Sequence, residues 1–160
     1  MHSRIFQVSL SPINKSNYII ESDYWDHWFL NEIADYVAES NDRNEDIEWL
    51  KNCYKEKGIE FGADNNGEYF IVKSKQAYFK QQFNKFMETI DKIKNYTLDN
   101  FAQGFHEMWL LKNAYEEKFG AFYVDIGIDE DEDLMSFDSF VRMCTIEKKY
   151  YIGGTMDYHC

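Results

Sequence analysis

Between Ile59 and Ile93 the hydrophobic pattern changes period, and that change limits the fold more than any other stretch of the chain. Ile59-Glu60-Phe61 and Tyr69-Phe70-Ile71-Val72 flank Asn66-Gly67, a pair favoured in tight β-hairpin turns. From Ser74 onward, Phe79, Phe83, Phe86, Ile90 and Ile93 recur at steps of four and three, the spacing of one helix face. Thr97 then opens a second apolar run through Leu98, Phe101, Phe105, Met108, Trp109 and Leu111, ending at Lys118-Phe119-Gly120. With only Asn95-Tyr96 between them, residues 75–94 and 97–118 are expected to form an antiparallel helix pair.

The flanking segments supply further elements. Residues 4–10 alternate apolar and polar positions as a first strand, which Ser11-Pro12 ends. Residues 23–39 carry Phe29, Leu30, Ile33, Tyr36 and Val37 at helical spacing, and are expected to form a helix facing the core. Asn44 can cap a short helix over 45–57, with acids in its first turn, lysines in its last turns and Gly58 as its stop. Residues 121–126 and 147–152 read as strands, 136–144 as a short helix, and 155–159 as a last strand beyond Gly153-Gly154. Together these predict one α+β domain over residues 1–160, a small and mainly antiparallel sheet packed against about four helices. A chain of 160 residues with 44% hydrophobic and 18% aromatic content can bury a core of its own, which excludes disorder.

Charge is unevenly placed. The chain carries −12 overall, yet residues 21–48 alone hold ten carboxylates against Arg43, and residues 125–138 hold seven with no base. The rest of the chain is mildly basic. Two acidic patches repel nucleic acid and anionic membranes and attract basic surfaces, so direct DNA binding is disfavoured. On the expected helix over 23–39, Tyr24, Trp28, Glu32, Asp35 and Glu39 share the outward face, and Asp42, Glu45 and Glu48 continue the acidic run. An indole among carboxylates suits a binding anchor better than a purely solvated face. Three cysteines (Cys53, Cys144 and Cys160) without CxxC spacing fit free thiols in the cytoplasm. No signal-like segment opens the chain and no stretch has the length and apolarity of a membrane span.

Catalytic signatures are weak. Asp129, Glu130, Asp131, Glu132 and Asp133 form an acidic run, but as an EF-hand loop it places Leu134 where glycine is required and Phe140 where the bidentate glutamate belongs. Asp125 followed by Glu147 and Lys149 has the D…ExK form used by one class of metal-dependent nucleases, with two carboxylates for Mg²⁺ and a lysine beside the attacking water. His27, His106 and His159 make no constellation, and no phosphate loop or nucleophile elbow is present. The lysines at 73, 75, 80, 85, 92 and 94 interleave with Tyr78 and Phe79, a pattern that the wet face of an amphipathic helix explains.

In size, acidity and aromatic-laced carboxylate patches the whole chain resembles the small anti-defence proteins of phages and mobile elements, including anti-restriction and anti-CRISPR inhibitors. That resemblance implies a non-enzymatic inhibitor without cofactor. Tyr24, Trp28, Glu32, Asp35, Glu39, Asp42, Glu45 and Glu48, with Asp129 to Asp133, would then meet a basic protein or nucleoprotein partner, such as a nuclease. An immunity protein that neutralises a basic toxin would use the same electrostatics, and a metal-dependent nuclease using Asp125, Glu147 and Lys149 is the rival of a different class.

Overall fold

The computed structural model describes residues 2–104, 106–115, 120–127 and 134–160, and its sheet is built around strand β7 (Lys149–His159). Residues 150–156 of this strand are all buried, so it lies inside the sheet with apolar cover on both faces. It pairs antiparallel with β1 (His2–Ser9) along one edge. Along the other it meets β4 (Gly67–Val72) at its start and β2 (Tyr36–Glu39) at its end. The full order is β3 (Ile59–Asp64), β4, β7, β1, β5 (Tyr123–Asp125) and β6 (Leu134–Ser136), with β2 beside β7. Among the described residues only β1 and β5 run parallel. The α+β class and the mainly antiparallel sheet read from the sequence are both present.

Helices cover one face. Ile47 and Leu50 of α2 (Arg43–Tyr54), Tyr78 of α3 (Lys75–Ile93), and Phe137, Phe140 and Val141 of α6 (Phe137–Met143) pack on Phe6, Val8, Phe70, Val124 and Ile152. Tyr78 also donates to Asp138 at 2.7 Å, joining α3 to α6. Burial first, then Tyr54 and Asp138, hold the Tyr78 phenol far above its ordinary range. The opposite face packs Ile5, Tyr123, Met156 and Tyr158 against Tyr24, Phe29, Ile33 and Ala34.

This second layer corrects the expected helix over 23–39. The segment is a 3₁₀ turn (Glu21–Tyr24), a single helical turn α1 (Phe29–Glu32) and then β2. Phe29, Ile33 and Val37 fit the helical spacing by coincidence, because a turn followed by a strand returns them to one side. The open half-edge of β7 decides the outcome, since Tyr36 to Glu39 satisfy backbone groups there that a helix would leave unpaired. The expected outward position of Tyr24 is also corrected: it is 1% exposed and its hydroxyl donates to Asp125 at 2.6 Å.

Gly153-Gly154 does not break β7. The two glycines oppose the single residue Gln7 in a bulge of the β1 pairing. A Cβ on Gly153 would lie 2.3 Å from Gln7 Oε1, and one on Gly154 would press on Tyr18 and Ile19. The pair lets the segment after β1 cross close over the sheet, where Gln7 accepts from the Gly154 amide at 2.9 Å and donates to the Asn17 carbonyl at 2.8 Å.

The expected helix pair is present, with α3 against α5 (His106–Tyr115). Its second arm is interrupted: α4 (Leu98–Gln103) stops at Gly104, whose φ of +74° suits glycine alone. Residues 116–119, at the expected end of that arm, lie outside the described residues. Phe83 is exposed although it belongs to the apolar repeat of α3.

Candidate partner-binding surface

Helix α2 sets the centre of the acidic surface. Asp42 caps it by accepting from the amides of Asn44 and Glu45, and the acids of its first turn offset the positive end of the helix dipole. Glu45 and Glu48 face solvent, and Glu48 pairs with Lys51 one turn on, at 2.5 Å. Between α2 and the sheet lies a cleft of about 180 Å³ lined by Arg4, Ser40, Asn41, Asp42, Glu45, Asp46, Trp49 and Asp157.

The floor of this cleft is a buried polar network. Asp46, 3% exposed, accepts from Arg4 Nε at 2.5 Å, from Thr155 Oγ1 at 2.7 Å and from Ser40 Oγ. Arg4 also pairs with Asp157 and lies over the Trp49 ring, 5.2 Å from its centre. Asp157 continues the surface to His2 at 3.0 Å. The His2 ring meets that of His159 at 5.1 Å, and His159 pairs with Asp35 at 2.9 Å. One side of the molecule thus carries an unbroken series of contacts from Asp35, at the start of β2, to Glu45 on α2.

The sequence-derived candidates divide accordingly. Asp35, Asp42 and Glu45 belong to this surface, with Glu48 beside them on α2. Glu39 borders a different cleft, with Lys15, Tyr18 and Arg43, while Glu32 ends α1 on the opposite face of the sheet. The helical row that would have aligned Glu32, Asp35 and Glu39 does not form. Trp28 is half-buried against the second core and lines a small cleft with Ile33, Tyr123 and Leu134. Asp129 to Asp133 lie outside the described residues.

The residues missed from the sequence are Trp49, Asp157, His2 and His159. Trp49 is 41% exposed at the cleft mouth and takes the position expected of Trp28. Its spacing of four from Glu45 on one helix is a usable signal. Asp157 and the histidines gave none, because only strand register brings them to α2.

Arg43, the lone base of the acidic run, serves the backbone. Its guanidinium donates to the carbonyls of Ile152 and Gly153, at 2.7 and 2.6 Å, in the stretch of β7 left between β4 and β2. It also pairs with Glu68 at 3.0 Å.

The nuclease candidates do not converge. Asp125 is 6% exposed on β5 and binds the Tyr24 hydroxyl and the Gly127 amide. Lys149 lies on the far side of β1 from it, paired in register with Ile71 of β4. Its hydrogen bond to Asp64 raises its own pKa and lowers that of Asp64, which the Asn66 amide lowers further. Glu147 precedes β7 and pairs with Lys73 at 2.6 Å, which raises the Lys73 pKa. Among the described residues no group of three or more His, Cys, Asp or Glu side chains is placed to hold a metal ion. No helix of the described residues is long and apolar enough to cross a membrane.

No protein-family model matches the chain, no curated protein matches its sequence, and no solved structure matches it.

Proposed function

We propose that the protein is a non-enzymatic inhibitor that presents the acidic surface of α2 and the start of β2 to a basic, nucleic-acid-binding site of a host defence nuclease, such as a CRISPR or restriction effector. The observation that carries this reading is the cleft beside Trp49. There an exposed indole stands among Asp42, Glu45 and Asp157, and Arg4, the one base among the described residues that line the cleft, is committed to Asp46 and Asp157. Such a surface supplies spaced negative charge for steering and an aromatic anchor that gains from desolvation. Glu32, Glu39 and Trp28 are not part of it.

The test is capture from a bacterial lysate at low and high salt, read by mass spectrometry, with wild type and a Glu45→Lys/Glu48→Lys variant. Wild type should retain a basic nuclease that high salt releases, and the folded variant should lose it. A folded wild-type protein that retains no such enzyme, or a variant that retains it equally, would overturn the reading.

A further inference from the structure

We propose that His2 and His159 form a two-histidine binding site for a late first-row divalent cation such as Zn²⁺ or Cu²⁺. The two residues are 157 positions apart in sequence but are direct partners in the β1–β7 register. Residues opposite one another on neighbouring strands project from the same face, so the pairing itself brings the imidazoles together. Both remain open to solvent, with side chains 57% and 35% exposed.

The tautomers are set by two aspartates. His2 Nδ1 meets Asp157 Oδ2 at 3.0 Å, and His159 Nδ1 meets Asp35 Oδ2 at 2.9 Å. In the neutral imidazole, a proton held on Nδ1 by a carboxylate leaves the Nε2 lone pair free for a metal. This carboxylate–histidine arrangement accompanies metal-ligating histidines generally, fixing the ring and raising its basicity. Tyr36 stacks on the His159 ring with an interplanar angle of 7°, which restrains it further.

The spacing fits. A cation about 2.0–2.1 Å from each Nε2 lies roughly 3.2 Å from each ring centre. Two rings that share one ion therefore have centres at most roughly 6.4 Å apart, and the 5.1 Å here, with the rings edge to face at 64°, lies within that reach. Two protein ligands leave the other positions to water or to a donor from another molecule, so the affinity is that of an open site and imidazole favours zinc, copper and nickel. Bound there, the ion would tie β1 to β7 and, through Asp35, to the start of β2. This site adjoins the proposed inhibitor surface through Asp157 and Asp35, but it rests on the histidine pair and not on that reading.

The test is calorimetric titration of the untagged chain with Zn²⁺. Wild type should bind one equivalent and unfold about 5 °C or more higher in excess zinc. His2→Gln and His159→Gln should each weaken binding at least tenfold, Asp35→Asn should weaken it about tenfold, and His106→Gln should leave it unchanged. Cu²⁺ added to wild type gives a readout that needs no variant, since paramagnetic broadening should centre on His2, Tyr36 and His159. Zinc binding that survives in folded His159→Gln, or broadening centred elsewhere, would overturn the proposal.

Discussion

Replacing Asp46 by alanine should be the most damaging single change on the acidic side of the molecule. The carboxylate is nearly sealed from solvent and accepts from Arg4, Thr155 and Ser40. Its removal leaves two hydroxyls without their acceptor and deprives a guanidinium, itself only 22% exposed, of one of two counter-ions. Breaking a buried ion pair from one side costs about 3–5 kcal/mol. Arg4 keeps Asp157 and the face of Trp49, which places the expectation at the lower end, about 3 kcal/mol. For a chain of this length that is a fall in melting temperature of about 6–12 °C. Urea unfolding followed by circular dichroism should show a lower midpoint at unchanged slope. Arg4→Met combined with Asp46→Ala should cost less than the two changes summed, by about 1 kcal/mol or more. A loss below about 1 kcal/mol for Asp46→Ala, or strict additivity, would show that the network does not hold α2 to the sheet.

Tyr24→Phe removes the hydroxyl that Asp125 accepts and should cost about 1.5–3 kcal/mol in the same urea assay, since the acceptor is a buried carboxylate. Gly58→Ala should destabilise by more than about 1 kcal/mol in thermal unfolding, because φ is +73° and a Cβ would lie 2.5 Å from the Ser74 carbonyl oxygen. The Lys149 hydrogen bond holds the Asp64 pKa below its ordinary 3.8, so the stability it gives is present above that value and lost as pH falls through the folded-state pKa. Carboxyl NMR titration should therefore place the Asp64 midpoint below 3.8 in wild type and move it upward in Lys149→Met.

The parts of the fold visible in the sequence are those with local causes. The hairpin over β3 and β4 follows from Asn66-Gly67, α2 from its charge order, and α3 from the repeat of phenylalanines and isoleucines. The cap of α2 is Asp42 and not the expected Asn44, because the Asp42 carboxylate accepts from the Asn44 and Glu45 amides, and the helix ends at Tyr54, before Gly58. Elements whose form depends on a distant partner were not visible. Tyr36 to Glu39 has no hydrophobic pattern that separates strand from helix, and only the free half-edge of β7 settles it. Gly153-Gly154 reads locally as a break, yet Gln7 and the segment at 17–19 make it a bulge inside one strand. The candidate surface shows the same division. Asp42 and Glu45 were found because α2 is local, whereas Asp157, His2 and His159 reach it only through strand register.

The position of β7 also bears on how the protein is made. It follows in sequence every strand that it joins, and its last residues pair with residues 2–4. During synthesis at about 5–20 residues per second, β1 waits roughly 8–30 s for its antiparallel partner. The β3–β4 hairpin and α3 can form meanwhile, but β1 and β2 emerge with open edges. The sheet therefore closes only after β7 has been made, and the nascent chain spends those seconds in the form most exposed to strand-to-strand aggregation.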